Sequence, residues 1–450
     1  MVDEWQMVPI SEIAASSGMG PFGSSIKVET FVPEGVPIIS GQHLHGAFLD
    51  ESPGFNFITP THAARHPKSI CRAGDIIFTH AGTIGQVALI PSDSFYKTYI
   101  LSQRQYYLRV NHSVADPAFV MRFFKTPEGR HQLLANATQV GVPSISRPLT
   151  NLRTIRLPLP PLPEQRAIAH VLGAIDDKID LNRRMAATLE EMARALFTSW
   201  FVRFDPVRAK MAGQPTGLPA HIEALFPDAL VDSELGEVPE GWGVGTLSEL
   251  CSLITSGGTP SRGVPDYWNR GVIPWIKSGE LHDGVLLDSG EHITSLAVQN
   301  SNAKVFPRHT IVMAIYAAPT VGRLGLLASP ASTNQACVGL VPKPEYGAQY
   351  LFQVCFALRR YFNERANGAA QQNISQRIVI GAPVLLPPLA IVAEAKTLLE
   401  ILTDQLEALA GSMRTLSSLR DTLLPKLVSG EVRITDPEAF LRRAGLDTAA

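Results

Sequence analysis

Residues 18–23 read Gly18-Met-Gly20-Pro-Phe-Gly23, the G-x-G-x-x-G spacing that cradles a dinucleotide pyrophosphate. That use needs a strand before the motif and a helix starting at the third glycine. Here Pro21 lies inside the motif and the β-like run Ser24-Ser-Ile-Lys27-Val-Glu29 follows, so the context fails. A glycine loop near a partner surface fits better, with Ser24 and Lys27 as polar candidates. A second such loop, Ser256-Gly-Gly-Thr259-Pro-Ser261-Arg262, lies in the other half of the chain. Small hydroxyls and backbone N–H groups suit phosphate contacts. The same residues also read as tight turns between strands.

No catalytic constellation appears. Walker A, H-E-x-x-H and G-x-S-x-G patterns are absent, as is an Asn-Pro-Pro-Tyr-like tetrapeptide. Pro265-Asp266 is not followed by an E-x-K, so a nuclease centre is not supported. His43, His45, His62, His66 and His80 fit no standard metal spacing and read as surface donors. Exposed His, Gln, Asn, Lys and Arg are also what base-edge reading requires. On that ground Gln42, His43, His45 and Thr83 are candidates in the first half. Lys277, Glu280, Thr320, Gln372 and Asn373 are candidates in the second, beside Thr259, Ser261 and Arg262.

Two long stretches must position these loops. After Pro160-Pro161 the chain runs to Phe204 with one proline, at the outset, and a single glycine, Gly173. A helix there would reach about 55 Å at ~1.5 Å per residue. Ile168, Ile175, Leu189 and Leu196 take one seven-residue spacing, and Val171, Met185 and Met192 a second, as in a coiled-coil seam. Asn182 falls in the seam, either fixing register or forming a wet spot at a helix edge. After Pro387-Pro388 a matching seam follows: Val392, Leu399, Leu406 and Met413, with Ala395, Leu402, Leu409, Leu416 and Leu423. Pro425 is expected to end this helix, and Gly430 to mark the turn after it. The two seams predict an antiparallel pair.

The two halves repeat with a period near 230–240 residues. Trp5 matches Trp242. Pro37–Gln42 matches Pro274–Glu280. Asp75–Phe78 with Ala81–Gly85 matches Ile311–Ile315 with Pro319–Gly322. Ser102-Gln103 matches Asn334-Gln335, and Ser144-Ile-Ser146 matches Asn373-Ile-Ser375. Each half reads as an α+β unit with a small, mostly antiparallel sheet or barrel. The expected boundaries are 1–159 and 241–388 for the units and 160–204 and 389–428 for the helices. A Pro/Gly surface linker at 205–240 and a tail at 429–450 complete the chain.

The composition, 45% hydrophobic and 18% charged, suits a soluble globular protein. No apolar run reaches the ~18 residues of a membrane helix, and no signal peptide is visible. Cys71, Cys251, Cys337 and Cys355 lack disulfide or zinc spacing, which fits a reducing cytoplasm. Net charge is 39 − 41 = −2, unevenly distributed. Residues 1–160 carry 13 Lys/Arg against 11 Asp/Glu, residues 241–388 carry 11 against 8, and residues 204–240 carry 2 against 7. Two mildly basic regions are thus offset by an acidic segment.

The ordered set resembles the specificity subunits of type I restriction–modification systems. It comprises Leu159-Pro-Pro-Leu-Pro-Glu164-Gln165, Ser199-Trp-Phe201, Phe204-Asp-Pro-Val-Arg208, Ser233-Glu-Leu-Gly236, Pro239-Glu-Gly-Trp242, Ser256–Ser261 and Leu423-Leu-Pro425…Ser429-Gly-Glu431. The second half departs after Pro388, reading Leu-Ala-Ile-Val where the first reads Leu-Pro-Glu-Gln. The resemblance implies two target-recognition domains, each reading half of a bipartite site in double-stranded DNA, held apart by an antiparallel coiled coil. A ~55 Å spacer would span roughly 16 base pairs at ~3.4 Å each. It also implies two methyltransferase subunits that bring S-adenosylmethionine, and motor-endonuclease subunits that use ATP and Mg. The chain itself would hold no cofactor, metal or catalytic site. The competing reading is a scaffold of two modules that binds proteins through apolar stretches such as Ala195–Phe201.

Overall fold

The computed structural model describes residues 5–21, 25–138, 141–316, 320–366 and 373–446. It divides into two compact units, Met1–Asp180 with Thr415–Ala450, and Leu181–Arg414.

In the first unit, Asp75–Thr79 is the central strand of an antiparallel sheet ordered Ala14–Met19, Gln105–Val110, Asp75–Thr79, Val87–Leu89. Its side chains are buried on both faces. Ile76 and Phe78 join the core beneath helices Pro117–Phe123 and Pro127–Leu134, whereas Ile77 joins a second core with Ile39, Tyr99 and Tyr107. Alternation with period two thus feeds two cores from one strand. A second sheet runs Phe57–Ile58, Val36–Ile39, Tyr99–Leu101, Ile70–Cys71, with the middle pair parallel.

The second unit repeats this plan strand for strand. Its first sheet is Cys251–Ser256, Cys337–Pro342, Ile311–Ala314, Leu324–Leu327, extended by Gly284–Leu286. Its second is His292–Ile293, Ile273–Ile276, Ala331–Thr333, Val305–Phe306, again with the middle pair parallel. Ile311 and Met313 face one core and Val312 and Ala314 the other, as on the matching strand. Gln6–Pro9 pairs with Arg156–Leu159 in the first unit, and Gly243–Thr246 with Pro383–Leu386 in the second. In both, this pairing leads straight into a long helix.

The helices span Leu162–Phe201 and Leu389–Ser429. Each unit holds one stretch of both, running antiparallel. In the first unit Arg433 meets Glu164 (3.1 Å) and Arg420 meets Asp176 (3.2 Å). In the second, Asn182 lies opposite Ser412, while Ala193 and Phe197 share a core with Ile391, Ala395 and Leu399. Asn182 is buried and its Nδ2 donates to Ser412 Oγ (3.0 Å), which makes it a bonded seam residue rather than a wet edge.

Three expectations are corrected. The first helix's second seam position is not Val171, Met185 and Met192: Val171 is buried, but both methionines are about half exposed. The buried or half-buried series is Leu172, Ile179, Ala186, Ala193 and Trp200, one residue later, so the stripe includes small alanines that a search for large apolar residues passes over. Pro425 does not end the second helix, which continues to Ser429 because Leu424, Leu427 and Val428 are buried in the first unit's core; Gly430 then turns the chain at φ +82°. Segment 205–240 is folded rather than a bare linker. It forms helices Asp205–Met211 and Ala220–Glu223 and a hairpin, Leu230–Ser233 with Gly236–Pro239, and it buries Val207, Ile222 and Phe226. The segment after Gly430 likewise carries helix Pro437–Arg443, with Leu441 buried.

Arg122 is 4% exposed, and its Nη1 donates to Asp176 Oδ2 (2.7 Å). Removing the carboxylate strands a buried guanidinium, so Asp176→Ala should cost about 3 kcal/mol. Asp177→Ala, on the exposed side, should stay within ~0.5 kcal/mol. Equilibrium urea unfolding of the two variants measures the difference; equal losses would rule out the buried pair as the cause.

Candidate nucleic-acid interface

The repeat-matched motifs converge. In the first unit Met19 lies opposite Tyr106, and Thr79 opposite Gln105, so the loops after residues 19 and 79 and before 105 share one end of the sheet. The loop after Ile39 joins them, because Val36–Ile39 runs parallel to Tyr99–Leu101. Ala81 bridges to Ser144, which brings the fifth motif to the same place. The second unit repeats this through Gly257 N to Cys337 O (3.1 Å), Asn334 N to Ile276 O (3.0 Å) and Ile374 N to Ile315 O (2.9 Å). Glycine is required where loops cross. A Cβ at Gly20 would run into the Ser102 carbonyl, and one at Gly257 into Thr333.

A buried polar network stiffens the first set. Gln105 Nε2 donates to Thr79 Oγ1 (3.3 Å), which donates to Gln86 Oε1 (3.1 Å), and Gln86 Nε2 donates to the Gly41 carbonyl (3.0 Å). Ser102 Oγ donates to Gln105 Oε1. Burial holds His80 below its usual pKa, and its Nε2–H donates to the Gln103 carbonyl (3.1 Å). Loops held this way present side chains at fixed positions.

The sequence candidates fare unevenly. His45 and Thr83 are exposed and line one cleft. Gln42 is exposed beside the Gly54 carbonyl. His43 is corrected: it is buried, stacked on Phe55 (4.3 Å) and bonded to Ser40 N–H and to the Gly54 carbonyl, so it supports the loop. Lys27 sits on the turn Val28–Thr30; just before that turn, the Ser25 carbonyl accepts from His62 Nε2 (2.9 Å). Ser24 and Gln372 lie outside the described residues.

In the second unit Thr259 Oγ1 donates to Gln335, and Thr320 Oγ1 to the Tyr316 carbonyl (2.9 Å). Asn373 immediately precedes Ile374, whose N–H is bonded to Ile315. Ser261, Arg262 and Lys277 come together with two partners that sequence reasoning missed. Arg262 lies over Trp268 (3.7 Å to the centroid), whose Nε1 donates to the Ser261 carbonyl (3.1 Å). Arg262 and Lys277 both grip Glu291. Glu280 is half-buried: its carboxylate accepts from the backbone of Lys277 (2.8 Å) and Gly290 (3.0 Å) and from Ser289 Oγ, and so organises the turn. Also missed is Arg104, exposed next to Gln103, its Nη1 lying 3.4 Å from where a Cβ on Gly82 would stand. The alignment of Ser102-Gln103 with Asn334-Gln335 pointed at that turn but stopped one residue short.

The apolar run Ala195–Phe201 points inward. Phe197, Trp200 and Phe201 are buried with Phe226, Trp242 and Tyr350, which removes the basis of the scaffold reading. A groove of about 1040 Å³, lined by Arg194, Phe197, Phe356 and Arg359 among others, lies mainly on helices and reaches the 320–322 loop only at Val321. Among the described residues, no three His, Cys, Asp or Glu side chains form a metal-binding group, and no helix is long and apolar enough to cross a membrane.

Two copies of one loop-bearing α+β unit, each closed by antiparallel helices, make a duplicated recognition protein. The chain belongs to the type I restriction modification DNA specificity family, whose domain model matches residues 2–191 and 239–411. It is 24% identical to the type I restriction enzyme HindI specificity subunit of Haemophilus influenzae over 81% of this chain and 88% of that one. It is 23% identical to the MjaIX specificity subunit of Methanocaldococcus jannaschii over 96% and 94%. The fold matches the crystal structure of a type I restriction–modification S subunit from M. genitalium with TM-score 0.55, at 18% identity, over 95% of this chain and 97% of that one.

Hydrogen bonds from Arg262 and Lys277 hold the Glu291 carboxyl below its usual range, and Glu291 in turn raises Lys277. A depressed carboxylate stabilises above the unfolded-state value, ordinarily 4.5, and loses that contribution as pH falls through the lower folded value. Glu291→Gln should therefore cost about 1 kcal/mol at neutral pH, and the gap to wild type should narrow progressively as pH falls below 4.5. Urea unfolding across pH 3–7 reads it; a gap of constant size over that range would assign the loss to packing.

Proposed function

We propose that this chain is the non-catalytic DNA sequence-specificity subunit of a type I restriction–modification complex. Residues 1–159 and 241–388 act as its two target-recognition domains, and each reads one half of a bipartite site in double-stranded DNA. The helical stretches 160–204 and 389–428 set the spacing of the half-sites and dock two methyltransferase subunits. S-adenosylmethionine belongs to those subunits, and ATP and Mg to motor-endonuclease subunits, so the assembled complex is an adenine methyltransferase and an ATP-dependent endonuclease. The cytoplasm is where such a complex meets DNA. The observation that carries the reading is the duplicated strand-end surface in a chain of this family. Loops fixed by buried hydrogen bonds hold Gln42, His45 and Thr83 in one unit, and Thr259, Ser261, Arg262 and Lys277 in the other.

Methylation mapping tests it. With its cognate methyltransferase, this chain should direct modification to a single two-part motif with a fixed gap. Replacing residues 1–155 by the equivalent part of another family member should change one half of the motif only. A continuous motif, or a change in both halves, would overturn the division of labour.

Arg104 is the most readily tested reader, since arginine to guanine O6/N7 is the commonest specific contact and is worth about 1–3 kcal/mol of discrimination. Arg104→Ala should make one base of one half-site tolerant and leave the other half intact. A uniform drop in modification with an unchanged motif would place Arg104 on the backbone instead.

A further inference from the structure

Helix Pro117–Phe123 gives way to helix Pro127–Leu134 opposite the glycine turn 81–85, and a cleft of about 290 Å³ lies between them. Its polar lining is His45, Thr83, Gln86, Lys125 and Arg130. Gly85, at φ +80°, keeps the floor low, and a Cβ there would stand 3.7 Å from Arg130 Nη1. Lys125 Nζ donates one proton to the Gly46 carbonyl (2.8 Å), which leaves two for a ligand. The Arg130 guanidinium and the Thr83 hydroxyl make no hydrogen bond among the described residues, although both face open space. Around Lys125 stand Arg122, Arg130 and Arg420 against one carboxylate, Asp176, whose oxygens are already taken by Arg122 and Arg420. The local charge is therefore positive, and its natural partner is an oxyanion.

We propose that this cleft seats one backbone phosphate of the bound DNA through Lys125, Arg130 and Thr83, anchoring the first half-site beside the loops that read it. The inference rests on the specificity reading above. A phosphodiester is a permanent monoanion, and charge-assisted bonds from an ammonium, a guanidinium and a hydroxyl match its two free oxygens. Burial lowers Lys125 to about 8, so the phosphate also holds the lysine in its protonated form. Affinity should consequently weaken as pH rises through 8.

The test uses the complex of this chain with its methyltransferase, a duplex carrying the mapped motif and an unrelated duplex. Lys125→Met should weaken binding to both duplexes by the same several-fold factor, lower the slope of log affinity against log salt by about one, and leave the motif unchanged. Arg130→Gln, which leaves the Lys125–Gly46 bond intact, should do the same. Lys125→Arg should keep neutral-pH affinity and abolish its decline between pH 7 and 9. Unchanged salt slopes in both Lys125→Met and Arg130→Gln, or an altered motif, would overturn the proposal. So would inorganic phosphate that protects the DNA-free complex against thermal unfolding while both variants bind DNA normally, since the cleft would then be a free-anion site. Failure of the underlying reading looks different: the wild-type complex itself would not tell the two duplexes apart.

Discussion

A buried guanidinium must be answered by a carboxylate, and the first unit is arranged to supply one. Arg122 comes from the short helix that covers the sheet, and Asp176 from the long helix, which fixes how the two pack. Arg420, from the other long helix, takes the second oxygen of the same carboxylate. Three elements far apart in sequence are thus tied at one point, while Ile168, Leu172 and Ile175 supply the non-directional part of the attraction. Charge pairing sets the orientation here and apolar burial supplies most of the favourable free energy.

Near the start of the same helix, a proline-rich motif shows how polar groups do local work. Gln165 is fully buried and satisfies three backbone groups: the Asp116 N–H and the carbonyls of Val114 and Pro160. Glu164 pairs with Arg433. In the second half the corresponding positions are Ile391 and Val392, both buried in an apolar core. The departure between the halves is therefore a change of fastening, from hydrogen bonds to hydrophobic packing, at the same point of the same fold.

Much of the architecture was legible in the sequence because it is periodic or duplicated. The seam of Val392, Leu399 and Leu406, the repeat, and the strand runs at Asp75 and Ile311 all rest on spacing, and the structure places them accordingly. What escaped was whatever spacing does not encode. Ala186 and Ala193 are in the seam because they are small, and Met185 and Met192 are out of it although they are apolar. Segment 205–240 looks like a linker by its prolines and glycines, yet Val207 and Phe226 carry it into the core. The site was legible as a set of loops but not residue by residue. An exposed histidine and a histidine that braces a turn have the same letter, and only burial separates His45 from His43. Glu291 carried no signal of its own, because its role comes from Arg262 and Lys277 reaching it from two other loops.

The first unit is assembled from both extremes of the chain, with Thr415 onward closing onto the core begun by the first 180 residues. Trp5 packs against Gly430 and lies under the Arg433 guanidinium (4.4 Å). The second unit, by contrast, is contiguous. During synthesis the second unit can complete its core while the first still waits for Leu416, Leu424, Leu427 and Leu441, with all of Leu181–Arg414 as the intervening loop. Closing so long a loop costs little more entropy than closing a shorter one, but it makes the first unit the late one to mature. A ribosome that stalls before Thr415 would release a chain whose first unit lacks the leucines that close its core.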